Sequence, residues 1–138
     1  MLKEIIPRVE KAYRVSNDRK DRAIAGLSMG GAESLYIGLN ALDQFAWIGA
    51  FSSGGLGTNL AGIYPALDAK ANDKLRLLWI ACGKEDGLIA SNRNLIEWLK
   101  SKGVHHTWLE TSGAHSFRVW RRYLAEFTPL LFQEKKKE

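Results

Sequence analysis

Residues 75–82, Leu-Arg-Leu-Leu-Trp-Ile-Ala-Cys, are apolar at every position except Arg76. An apolar run without alternation predicts a strand covered on both faces, as strands are in parallel sheets layered with helices. That segment calls for helical partners before and after it in the chain, and the flanking sequence supplies them.

Ile5, Ile6, Val9, Ala12 and Tyr13 share one face at helical spacing, with Pro7 tolerable near the first turn or at a kink. Polar residues from Ser16 to Asp21 break the pattern. The spacing then predicts a strand over 22–27 and a helix over 30–40 with Ala32, Leu35, Tyr36 and Leu39 inward. A second strand follows over 45–51 and runs into the flexible stretch Ser52-Ser53-Gly54-Gly55-Leu56-Gly57. Pro65 is expected to open a short helix. After the apolar strand over 75–82 come a helix over 88–102 closed by Gly103, a strand over 105–110, and a last helix over 117–132. Phe117, Trp120, Leu124, Phe127 and Leu131 are its apolar residues. Alternating strands and helices predict an α/β fold, a mostly parallel sheet of about four strands with helices on both faces. With 138 residues the chain is one domain, placed over 1–132, followed by a charged tail over 133–138.

Composition narrows the functions. Hydrophobic residues make up 46% and charged residues 25%, ordinary for a globular protein, and no apolar run approaches the roughly 18 residues of a membrane span. The net charge of +5 is scattered, apart from Arg121-Arg122 and the Lys135–Lys137 run, so it argues against a nucleic-acid face. Cys82 is the lone cysteine and sits inside the apolar strand, which predicts a buried thiol. No ligand cluster has metal spacing, so no metal and no organic cofactor is implied.

Three groups fall where the strands end, the place where sheets of this kind bind ligands. Ser28 lies in Gly26-Leu27-Ser28-Met29-Gly30, at the handover from strand to helix. Asp86 follows the apolar strand in Gly83-Lys84-Glu85-Asp86-Gly87, and His115 follows the last strand in Ser112-Gly113-Ala114-His115-Ser116. A serine hydroxyl needs a base to take its proton, and neutral imidazole suits that task near pH 7. A carboxylate then holds the imidazole tautomer and stabilises the cation. A sharp turn at Ser28 predicts that Gly26 and Gly30 stay small to avoid collision, that Ser28 carries backbone strain, and that the Met29 amide faces a developing oxyanion. Taken alone, the pentapeptide is also what a simple turn serine looks like; its strand-turn-helix setting favours the nucleophile. Asp86 could instead cap the helix that follows, and Glu85 is the rival carboxylate. His105 and His106 start the last strand, at the far end of the sheet. Ser53, Gly54, Gly55 and Leu56 are expected to line a substrate pocket. Trp120 is either a wall of that pocket or core.

Ala25-Gly26-Leu27-Ser28-Met29-Gly30-Gly31, Cys82-Gly83-Lys84-Glu85-Asp86-Gly87-Leu88-Ile89 and Gly113-Ala114-His115-Ser116-Phe117-Arg118-Val119-Trp120 together resemble the esterase group of α/β-hydrolases. The closest likeness is to the feruloyl and acetyl-xylan esterases of carbohydrate esterase family 1. The resemblance implies the C-terminal half of an α/β-hydrolase, with Ser28 as nucleophile, His115 as base and Asp86 as orienting acid. It implies a feruloyl or acetyl ester of plant cell-wall polysaccharide as substrate. Siderophore esterases and S-formylglutathione hydrolases share the plan, and a truncated non-catalytic interaction module is the rival from another class. Members of the group carry further strands ahead of the first helix seen here, including the loop that supplies a second oxyanion donor. The strand over 22–27 is therefore expected to be an open edge, inviting a homodimer or a complementing N-terminal fragment. The first residues lack the pattern of a signal peptide, and the resemblance implies a secreted protein if an N-terminal portion precedes them.

Overall fold

The computed structural model describes residues 1–133. Apart from Gln133, the charged tail expected over 133–138 lies outside the described residues. Helix α1 (Ile5–Ala12) leads into strand β1 (Ala23–Leu27) and helix α2 (Met29–Asn40), followed by β2 (Trp47–Phe51). Two short helices, α3 (Leu60–Ile63) and α4 (Ala71–Lys74), precede β3 (Leu77–Gly83), and α5 (Ile89–Ser101), β4 (Thr107–Thr111) and α6 (Phe117–Phe127) complete the chain.

The four strands form one sheet in the order β1-β2-β3-β4, every pair parallel. Alternation along the inner strands sorts side chains to two cores. Ile48, Ala50, Leu78 and Ile80 meet Leu35 and Leu39 of α2 and Leu95, Ile96 and Leu99 of α5 on one face. Phe51, Trp79 and Ala81 meet Val119, Trp120, Tyr123 and Phe127 of α6 on the other. The α/β layering expected from the apolar run at 75–82 is the architecture found.

Several local expectations are corrected. Pro65 does not open a helix. The short helix ends before it, at Ile63, started instead by Asn59, whose Oδ1 accepts the Gly62 amide at 3.0 Å. The last helix stops at Phe127 and tightens to a 3₁₀ turn over Thr128–Leu130, because Pro129 has no amide to continue the ladder. Tyr36, expected to face inward, points outward, as do Phe117 and Leu124 of α6, and no residue of α1 is buried. The apolar face of α1 stands over a groove floored by Ala23, Ile24 and Phe45. Gly103 does close α5, with φ +66°.

Candidate active site

β1 ends at Leu27 and α2 begins at Met29, so Ser28 alone makes the turn between them. It takes φ 53° and ψ −124°, a conformation that costs a non-glycine residue about 1–3 kcal/mol and persists only where the surroundings enforce it. They do so from both sides. The Ser28 amide donates to the Phe51 carbonyl at 2.9 Å, while the Ser28 carbonyl accepts the amides of Gly54 at 2.9 Å, Gly31 at 3.0 Å and Ala32 at 3.3 Å. The Met29 amide lies ahead of these first helical bonds, in the position from which a helix N-terminus faces negative charge.

The need for small residues around this turn differs from the expectation. A Cβ on Gly26 would land on the carbonyl of Gly30, so Gly26 must stay bare. A Cβ on Gly30 meets nothing within 4 Å. The second close approach belongs to Gly31, where a Cβ would lie 2.8 Å from Ser53 Oγ and 3.2 Å from the Gly26 carbonyl. The helix crosses its own strand through Gly26 and Gly31, one residue further along than the pentapeptide suggests.

His115 reaches Ser28 from the loop after β4. Its Nε2 lies 2.9 Å from Ser28 Oγ, and its Nδ1 lies 2.9 Å from Asp86 Oδ2. The Asp86 carboxylate is fully buried, whereas the His115 ring is about a third exposed. Burial alone would raise the Asp86 carboxyl. The Leu88 amide, which donates to Oδ1 at 2.9 Å, together with the nearby Ser52 hydroxyl and His115, outweighs it and holds the group below its ordinary value of 3.8. Asp86 is thus ionised at neutral pH and can only accept, so His115 Nδ1 carries the proton and Nε2 is left to accept from the serine hydroxyl. The indole of Trp120 stands edge-on to the imidazole, ring centres 4.7 Å apart, and fixes the plane of the ring from behind. Trp120 is buried in the α6 core and backs the histidine as well.

Glu85, the rival carboxylate, accepts the amide of Gly113 and so pins the loop that carries His115. That loop crosses the end of β3 so closely that a Cβ on Gly83 would overlap the Gly113 carbonyl. His105 and His106 sit before β4, at the opposite end of the sheet. Cys82 is buried, and burial first, then the Asp86 charge, pushes its thiol up to about 11. It is a packing thiol with no thiolate near neutrality.

The stretch after β2 divides in two. Ser53 is fully buried and lies beneath the surface, so it cannot touch a ligand as expected. Gly54, Gly55 and Leu56 line a groove of about 370 Å³ with Met29, Ala32 and Tyr36, almost wholly apolar. Asn92 was not singled out in the sequence. It is completely buried and bonds both main-chain groups of Ser53. Its signal was legible as one polar residue on the apolar face formed by Leu88, just ahead of α5, with Leu95, Ile96 and Leu99. Among the described residues no group of three or more metal-ligating side chains converges, and no helix is long and apolar enough to cross a membrane.

Comparison with known proteins places this geometry in context. A family model described as "Putative esterase" matches residues 1–131. An endo-1,4-beta-xylanase/feruloyl esterase of Xylanibacter ruminicola is 31% identical over 134 residues, which is 96% of this chain and 17% of that protein. An acetyl esterase of Caldicellulosiruptor saccharolyticus is 28% identical, covering 88% of this chain and 58% of its own length. Among solved structures, a CE1 ferulic acid esterase of the anaerobic fungus Anaeromyces mucronatus superposes with a TM-score of 0.75 at 27% identity, over 95% of this chain and 52% of that one. The chain thus spans between about a sixth and three-fifths of the length of these relatives.

Proposed function

This chain belongs to that esterase family, its residues 1–131 matching the family model, and from that premise we propose that it hydrolyses carboxylic esters through an acyl-enzyme on Ser28. The observation that carries the reading is the unbroken relay from Ser28 Oγ to His115 Nε2 and from Nδ1 to Asp86, each step 2.9 Å. Ser28 Oγ attacks the ester carbonyl as His115 Nε2 takes its proton, and the buried Asp86 charge stabilises the imidazolium. The oxyanion develops toward the Met29 amide. Collapse expels the alcohol, which receives the proton from His115. Water then repeats the sequence on the acyl-enzyme, with His115 again as base, and releases the acid.

The substrate reading is a feruloyl or acetyl ester of plant cell-wall polysaccharide. The named activities of the xylanase/feruloyl esterase and acetyl esterase relatives support it. So does the apolar groove that begins at Met29, next to Ser28, with glycine at two of its positions where a flat acyl group can lie against the backbone.

Labelling with a fluorophosphonate probe tests the nucleophile: one equivalent is expected at Ser28, lost in Ser28→Ala, and labelling that survives the substitution sinks the mechanism. Turnover of methyl ferulate, acetylated xylan and S-formylglutathione, compared side by side, tests the substrate. Preference for the thioester would retire the plant-polysaccharide reading.

A further inference from the structure

Two loops must agree in position for the relay to exist. One carries Ser52 to Leu56 after β2 and the other carries Asp86 to Leu88 after β3. Asn92, on the first turns of α5, bonds to both. Its Oδ1 accepts the Ser53 amide at 3.2 Å, and its Nδ2 donates to the Ser53 carbonyl at 3.0 Å and to the Leu88 carbonyl at 2.8 Å. Both amide hydrogens and the oxygen are engaged, and the side chain is wholly buried.

The peptide groups beside these contacts are the ones that hold the reacting residues. Next to Ser53, the Gly54 amide donates to the Ser28 carbonyl at 2.9 Å, within the turn that sets Ser28 at positive φ. Before Ser53, Ser52 takes φ 49°, a second strained position that a two-point clamp on its neighbour can enforce. At the other loop, the residue whose carbonyl Asn92 holds is the one whose amide holds Asp86 Oδ1, at 2.9 Å. Asn92 is therefore one peptide unit away from the nucleophile's turn and one from the acid's carboxylate, and it touches neither reacting group.

We propose that Asn92 is a positioning residue that holds the Ser28 turn and the Asp86 loop in register, so that the serine–histidine–aspartate relay forms. Losing the carboxamide leaves the buried Ser53 amide and carbonyl seeking partners. The Leu88 carbonyl keeps the Asn92 main-chain amide at 3.1 Å and the Ser91 hydroxyl at 2.9 Å but loses its tie to the Ser53 loop, and the cheapest relief is movement of one loop against the other. The proposal rests on the esterase reading for its kinetic test, and a spectroscopic test stands apart from it. A proton held between His115 Nδ1 and Asp86 gives a far-downfield NMR resonance whether or not any ester is turned over.

The experiment compares Asn92→Leu with Leu99→Ala, a change on the same helix in the core cluster away from the loops. With both variants folded and examined at equal distance below their melting temperatures, Asn92→Leu is expected to lose or broaden the downfield resonance while Leu99→Ala keeps it. On a nitrophenyl ester, Asn92→Leu is expected to lower kcat about 10- to 100-fold with KM changed by less than about threefold, the pattern of a misplaced reacting group. Fluorophosphonate labelling of Ser28 should slow by the same factor. An Asn92→Leu protein that keeps the resonance unshifted overturns the proposal, as does an equal loss of kcat in Leu99→Ala. If the unaltered protein shows the resonance yet neither turns over ester nor labels at Ser28, the esterase reading fails and the resonance alone decides on Asn92.

Discussion

Every residue of β2 is buried, and so are six of the seven in β3, whereas no residue of β1 is. These strands are neighbours in one parallel sheet, and their sequences are similarly apolar. What separates them is coverage. β2 and β3 have a strand on each side and a helical layer on each face, while β1 pairs with β2 alone among the described residues. The groups of the proposed relay do not follow the burial. Ser28 follows β1 and His115 follows β4, the two outer strands, and Asp86 alone comes from the centre. Three strand spacings separate β1 from β4, roughly 14 Å, so the β4 loop must reach across the sheet end to meet Ser28. The tight crossing of Gly113 over Gly83 is how it does so. Burial is concentrated in the middle of the sheet, and the proposed relay is suspended between its borders.

The strongest way to break this comparison is to cut into the centre and the border with the same substitution. Phe127 is 1% exposed, and its ring packs against Phe51, Trp79 and the bare Gly49. Phe127→Ala is expected to cost about 3–5 kcal/mol, as large aromatic deletions from cores do. Phe117, 75% exposed beside β1, should tolerate the same change within about 0.5 kcal/mol. Urea unfolding of both variants measures the difference, and equal losses would show that the border is packed after all.

A finer cut separates the two glycines of the pentapeptide. Gly26→Ala forces a methyl group onto the Gly30 carbonyl and should cost about 1–3 kcal/mol, with turnover falling as the Ser28 turn is pushed apart. Gly30→Ala meets open space within a helix and should be neutral or stabilising by up to about 1 kcal/mol. Thermal unfolding of the pair is sufficient. A costly Gly30→Ala would mean that α2 lies closer to the sheet than it does here.

Asp86 gives a smaller, pH-dependent effect. Its folded-state value lies below the ordinary 3.8, the amide, hydroxyl and histidine partners outweighing burial. A carboxyl lowered on folding contributes stability that is fully present above its unfolded value and is lost as pH falls through the folded one. The unfolding free energy should therefore decline below about pH 4 with a slope that Asp86→Asn lacks. An identical decline in the variant would assign the acid sensitivity to other carboxylates.

How much of this was legible in the sequence depends on what each residue answers to. The apolar strand at 75–82 and the helices around it answer to burial, which periodicity reports, so the α/β layering could be read directly. Ser28, Asp86 and His115 could be singled out because each lies in a glycine-bearing loop just past a strand. Gly31 and Asn92 were missed because their constraints come from residues distant in the chain, Ser53 in both cases. The outward turn of Tyr36 escapes the sequence for a related reason. Helical spacing shows that a face is apolar and says nothing of whether another layer covers it.

The smallest change tests the border itself. Ala25 is the exposed residue in the middle of β1 and pairs with Gly49 of β2. A lysine there has room for its chain in solvent, so Ala25→Lys is expected to alter stability by no more than about 0.5 kcal/mol. Its effect on association should be larger. An unpaired strand edge offers a row of amides and carbonyls to other chains, and an inserted charge is the means by which natural edges discourage such pairing. If the protein associates through β1, sedimentation should record a lower mass for Ala25→Lys than for the unaltered chain at the same concentration. An unaltered chain that stays monomeric at high concentration, or a variant that associates just as strongly, would show that the open row of β1 is already protected. The contrast between centre and border would then be one of side-chain burial alone.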